Sequence, residues 1–204
     1  MHSSLYAFMV LVLITLTVVP LAAADLSNRV VAMGDVHGDL DRLTSILQEA
    51  GLIDAELNWV GGETIFVLTG DFTDRGGKVR EVMDLLIELQ EQSKRAGGEV
   101  IVLLGNHEMM NIVGDLRYVA EEAYDSFVDQ RSENRQREAF EKTLKIQIRQ
   151  AKQLKMKAPR ETPEQFELWK ESHPLGYVEY REAMGPKGKY GRWIRDLPAI
   201  VQVG

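Results

Sequence analysis

Three short polar clusters punctuate the first half of this chain, and each holds side chains able to bind metal or move a proton. Gly34-Asp35-Val36-His37-Gly38 comes first, then Gly70-Asp71-Phe72-Thr73-Asp74-Arg75-Gly76, then Gly105-Asn106-His107-Glu108. Carboxylate, imidazole and amide donors of this kind suit Mn, Fe or Zn. Two such ions roughly 4 Å apart need a bridging carboxylate and can clamp both oxygens of an in-line displacement. Taken singly, each residue has a plainer reading. Asp35 and Asn106 serve as turn formers, His37 as an ordinary buried histidine, and Asp74 with Arg75 as a surface ion pair of little worth. Their joint occurrence at three successive strand ends is what favours a site. Glu108 is expected to be structural, and His173, which precedes Pro174 in a charged region, is not expected to bind metal.

The elements that must position these clusters are legible in the hydrophobic pattern. Residues 29–33, 64–69 and 99–104 are short, nearly continuous apolar runs, each ending at a glycine, and read as buried strands. Asp39 can cap a helix carrying Leu40, Leu43, Ile46, Leu47 and Ala50 on one face, stopped by Gly51. Val79, Val82, Met83, Leu86 and Leu89 recur at helical spacing up to Gly97-Gly98. Alternating strand and helix implies βαβ units and an α/β fold with parallel pairing, whose site lies at the carboxyl ends of the strands. Residues 118–185 read as a mainly helical insertion between sheet strands. It contains a long Pro- and Gly-free run over 118–156, with Phe140, Leu144, Ile148 and Ala151 on one face, and a shorter helix near residues 164–172. Residues 199–203 are expected to form a last strand.

Composition narrows the function classes. The chain has 204 residues, 45% hydrophobic and 27% charged, which argues against disorder, a collagen-like chain and a multi-span membrane protein. With no cysteine, disulfide scaffolds, thiolate metal sites and thiol nucleophiles are excluded. A net charge of −7 disfavours a dedicated nucleic-acid sheath. The exception is residues 135–160, with nine Lys and Arg against two acids. That stretch reads as a solvated helix face or, more sharply, as a rim attracting phosphorylated substrates. Residues 1–24 carry no Lys, Arg, Asp or Glu; residues 5–19 are almost wholly apolar, followed by Pro20 and the triplet Ala22-Ala23-Ala24. This reads as a signal peptide cleaved before a domain of residues 25–204, with an uncleaved anchor as the rival. The domain is accordingly expected outside the cytoplasm (periplasmic or secreted), with no stable membrane insertion once the leader is removed.

The clusters GDVHG, GDFTDRG and GNHE, in that order and spacing, resemble the phosphoprotein-phosphatase branch of the calcineurin-like metallophosphoesterases, whose pattern is GDxHG, GDxxDRG, GNHE. The stretch Leu116-Arg117-Tyr118 and the surroundings of Gly176 to Arg181 and Gly191 to Trp193 are similar to the Shewanella-like phosphatase subgroup. The resemblance implies the N-terminal portion of an α/β/β/α sandwich, with an incomplete sheet. It implies two metal ions (Mn, Fe or Zn), with Asp35 and His37 on the first, Asp71 bridging, and Asn106 on the second. It makes His107 the general acid, Asp74 its orienting partner and Arg75 the phosphate clamp, with a metal-bridging hydroxide as nucleophile. The implied activity is metal-dependent hydrolysis of phosphomonoesters, on phosphoproteins or small phosphoesters. A diadenosine-tetraphosphate hydrolase shares the motifs and is the alternative enzyme; a non-catalytic phosphate-binding remnant is the alternative outside catalysis.

The chain departs from the family pattern in its second half. The family takes further histidines and a second phosphate-binding arginine from downstream, and after GNHE this sequence offers only His173. The second metal site is therefore expected to be incomplete, and the chain by itself to hydrolyse phosphomonoesters poorly or not at all.

Overall fold

The computed structural model describes residues 29–203; the leader read from residues 1–24 lies outside them. β1 (Val30–Met33), β2 (Ile65–Leu68) and β3 (Glu99–Val102) form one parallel sheet in that order. The register aligns Val31, Phe66 and Val100 in one row and Met33, Leu68 and Val102 in another. Because side chains alternate along a strand, both rows lie on one face. That face joins the apolar sides of α1 (Leu40–Glu49) and α2 (Val79–Arg95) in a single buried cluster. Parallel strands need crossovers, and α1 and α2 supply them. The result is a mixed α/β chain with a partial, three-stranded parallel sheet.

Local signals account for the two crossovers. The Asp39 carboxylate accepts the Arg42 N–H at 3.0 Å and opens α1; Leu43 and Leu47 are buried, while Ile46 stays partly exposed at 38%. In α2 the whole expected face, Val79, Val82, Met83, Leu86 and Leu89, is fully buried. Burying one such side chain contributes roughly 1.5–3 kcal/mol, so this stripe anchors the helix against the sheet.

The second half is more broken than the pattern suggests. The run over 118–156 is not one helix. α4 (Glu122–Asp125) is separated from α5 (Ser132–Gln153) by a turn in which Asp129 accepts the Arg131 N–H at 2.7 Å. A side chain that bonds its own backbone two residues on competes with helix, and here it wins. α6 (Pro163–Glu171) follows, with Thr162 as its cap. Two further short helices, α7 (Tyr177–Met184) and α8 (Lys189–Arg195), bury Tyr180, Met184, Tyr190 and Ile194 in the main core. The strand expected over 199–203 is not formed. Its neighbourhood makes one sheet-like contact, from the Leu104 N–H to the Pro198 carbonyl at 2.8 Å, and Ile200 is 85% exposed. One hydrogen bond is not a ladder, and Pro198 has no N–H to extend it.

Candidate active site

The three polar clusters meet at the carboxyl ends of β1, β2 and β3. Backbone bonds tie the loops together: the N–H groups of Val36 and His37 both donate to the Asp71 carbonyl at 3.0 Å, and Gly38 donates to Phe72 at 3.0 Å. The third cluster enters α3 (Asn106–Val113), with Gly105 at its cap. Gly70 lies at φ 98°, and a Cβ there would meet the Gly105 nitrogen at 2.6 Å, so only glycine lets β2 and β3 end this close together.

Glu108 organises this corner. It is fully buried, and its carboxylate accepts five hydrogen bonds: from the N–H groups of Asp71 (2.8 Å), Phe72 (3.0 Å), Thr73 (2.9 Å) and Gly105 (3.0 Å), and from the Thr73 hydroxyl (2.8 Å). A buried carboxylate persists only when so satisfied. The loop it grips, and the His37 turn hydrogen-bonded to that loop, are strained. His37, Asp71, Asp74 and Arg75 have φ of 49°, 53°, 67° and 63°, four of the six non-glycine residues with positive φ among the described residues. Each such conformation costs of order 1–3 kcal/mol and persists only where surrounding structure dictates it. Glu108 is therefore structural in a specific sense: it holds Asp71 and Asp74 in place.

His37 is held from one side only. Its Nδ1 lies 3.0 Å from the Thr73 carbonyl, which can only accept, so Nδ1 is the donor in this contact and Nε2 is the nitrogen left to face the site. That Nε2 is buried and has no hydrogen-bond partner among the described residues. The Asp35 carboxylate stands 3.5 Å from it, and donor atoms of His37, Asp71 and His107 lie within 4.8 Å of one another. An imidazole locked by a backbone carbonyl, beside two carboxylates, suits a divalent cation. The residues present fit a metal.

His107 is held differently. It is buried, its Nδ1–H donates to Asp74 at 2.7 Å, and its Nε2 faces the Arg75 guanidinium at 3.3 Å. Its backbone N–H donates to the Asp71 carboxylate at 3.0 Å. The His37 and Tyr118 rings flank it, with centroids at 4.7 and 5.4 Å. Asp74, fully buried, also accepts from the Asn111 amide at 2.8 Å, and Asn111 in turn accepts from the Tyr180 hydroxyl at 2.6 Å. Burial pushes the Tyr180 phenol well above 10, so it is a permanent donor and fixes which way the Asn111 amide points.

Of the residues expected from sequence, the structure brings His37, Asp71, Asp74, Arg75 and His107 into contact, with Asp35 at the exposed margin. Asn106 opens α3, and its side chain is exposed and makes no hydrogen bond among the described residues. His173 is remote from this cluster: it stacks on Trp169 at 3.9 Å and 8°, and burial lowers its pKa. Sequence reasoning missed Thr73, Asn111 and Tyr180. Asn111 lies one helical turn after His107 on the same face, the one signal that could have found it. Tyr180 is expected to matter through this chain of bonds. Tyr180→Phe leaves a buried Asn111 oxygen unpaired, which costs about 1–2 kcal/mol in urea unfolding. It should also shift the His107 ring resonances in NMR spectra. Unchanged His107 resonances would show that the two residues are uncoupled.

Comparison with known proteins points the same way. A profile described as calcineurin-like phosphoesterase matches residues 28–196. Shewanella-like protein phosphatase 2 of Arabidopsis thaliana is 44% identical over 100 residues, which are 49% of this chain and 26% of that protein. Shewanella-like protein phosphatase 1 of Plasmodium berghei is 36% identical over 93 residues, 46% of this chain and 26% of that protein. A solved structure of a mutant cold-active protein tyrosine phosphatase is 30% identical with a TM-score of 0.55, covering 84% of this chain and 38% of the other. The chain thus spans about a quarter of the length of these curated relatives.

Proposed function

The chain belongs to the calcineurin-like phosphoesterase family, and from that premise we propose that it carries the catalytic corner of a metal-dependent phosphomonoester hydrolase acting on phosphoproteins. The observation that carries this reading is the buried, unpartnered Nε2 of His37, beside Asp35 and Asp71 and backed by the Glu108-bound loop. Asp35, His37 and Asp71 would hold one divalent ion, with Asp71 shared toward a second ion that also takes Asn106. A bound metal supplies positive charge against the phosphoryl oxygens and lowers the pKa of water. Manganese, and a second ion whose site this chain completes only in part, belong to this proposal. So does export, which the charge-free leader supports.

The remaining chemistry lies with the chain's own groups. Arg75 is exposed, and its planar fork can turn from His107 to hold phosphate oxygens in two parallel bonds. That movement frees the His107 Nε2, which when protonated gives its proton to the departing oxygen. Asp74 keeps the Nδ1 side fixed and stabilises the imidazolium. A cation beside Nε2 would stand against the Arg75 guanidinium, whereas the His37 Nε2 faces a carboxylate. That asymmetry supports His37 as the metal ligand and His107 as the proton donor.

The reading is tested with the full chain and Mn(II). Among the described residues Asp71 and Asn106 alone are assigned to the second ion, so about one weakly held Mn per chain is expected by equilibrium dialysis, and slow turnover. Asp71→Asn should abolish the binding, and any turnover of p-nitrophenyl phosphate with it. Any residual turnover is expected on phosphopeptides rather than diadenosine tetraphosphate. Metal held equally by the wild type and Asp71→Asn would sink the assignment, and preference for the dinucleotide would sink the substrate class.

A further inference from the structure

The helical arm after Leu144 stands apart from the site just described. α5 buries Ser132, Gln136, Phe140 and Leu144, all in its first half. From residue 145 to 175 no residue is buried, so the last turns of α5 run out beyond the support of the core. This unsupported end has two properties together. Between residues 142 and 160 there are seven Lys and Arg and no acid, a local +7 in a chain of −7, so the remainder carries −14. Of these cations only Lys145 has an acidic partner among the described residues, Glu141 at 3.8 Å. Interleaved with them are large apolar side chains left in water: Ile146 at 46%, Leu154 at 68% and Met156 at 65% exposure.

Helix electrostatics do not account for this. Cations in the last turn complement the helix dipole, but that effect fades within a turn. Here the charges extend from Lys142 past the end of α5 to Arg160. Lys142, Lys145, Arg149 and Lys152 recur every three or four residues and form one stripe along the helix, with Ile146 one turn from Lys142 beside it. Leu154-Lys155-Met156-Lys157 then alternates apolar and cationic groups at the tip. A nucleic-acid backbone would use the cations and leave Ile146, Leu154 and Met156 exposed. An anionic bilayer surface uses both, with headgroup phosphates meeting the lysines and the acyl boundary taking the apolar groups.

We propose that the arm over residues 142–160 docks onto an anionic lipid surface, holding the domain at a membrane without spanning it. Among the described residues no helix is long and apolar enough to cross one, and an interfacial contact needs none.

The test uses the full chain with vesicles of phosphatidylcholine alone and of phosphatidylcholine with about 30% phosphatidylglycerol. Binding through the apolar leader would be similar on both, so the readout is amide hydrogen exchange at residues 145–157. Exchange there should slow about tenfold or more on the anionic vesicles only, and the protection should be lost at about 0.5 M salt. Leu154→Ser with Met156→Ser, both exposed and outside the core, should weaken it about tenfold with charge unchanged. Equal exchange on neutral and anionic vesicles overturns the proposal. So does equal protection by single-stranded DNA that ignores the double substitution, which would identify a nucleic-acid contact.

Discussion

Glu108→Ala is expected to lower the unfolding free energy by about 3–5 kcal/mol, as befits removal of one partner from a buried charged cluster. The substitution strips the acceptor from four backbone N–H groups and the Thr73 hydroxyl at once, in a corner where Phe72 and Thr73 are fully buried. It also releases a loop in which Asp71, Asp74 and Arg75 hold positive φ, so the strain stored there relaxes and the donor geometry goes with it. A domain has only about 5–15 kcal/mol in total, which makes this change close to unfolding. Urea denaturation followed by circular dichroism reads the effect, with Met109→Ala, the exposed neighbour on the same helix, as the control expected within about 0.5 kcal/mol. A loss below about 1 kcal/mol for Glu108→Ala would mean that the five bonds are replaceable by water. Glu108→Gln should fall between, since the amide keeps one acceptor but turns its NH₂ toward donors.

In a longer form that completes the second metal site, His107→Asn has the largest expected effect on turnover, about 10²–10⁴-fold for loss of a general acid. The loss should depend on the leaving group: severe for phenyl phosphate or a phosphoserine peptide, small for p-nitrophenyl phosphate, whose anion departs unaided. Metal content should be nearly unchanged, because the Nδ1 of His107 is occupied by Asp74 and its Nε2 faces Arg75. Loss of metal together with activity would make His107 a ligand alongside His37 and Asp71, the other arrangement their proximity allows. Equal losses on good and poor leaving groups, with metal retained, would count against proton donation. The outcome therefore separates two roles that distance alone leaves equivalent.

What could be read in the sequence was what depends on near neighbours. The strand–helix order, the Asp39 cap of α1 and the buried face of α2 follow from hydrophobic period and cap chemistry, which act over a few residues. The three polar clusters were legible for the same reason: each sits where an apolar strand ends at a glycine. The second half resisted for two reasons, a local side-chain bond that the hydrophobic period does not reveal and dependence on partners far along the chain. Asp129 breaks the 118–156 run by a local bond that outcompetes helix, and 199–203 lacks a strand to pair with in the described sheet. The same holds within the site. Glu108 reaches back 37 residues to Asp71, and Tyr180 reaches back 69 to Asn111. Side-chain types and spacing determined which groups could do metal and proton chemistry. Only the tertiary structure decided that the His37 Nε2 is left bare while the His107 Nδ1 is engaged, because a histidine's free nitrogen is set by what its other nitrogen touches.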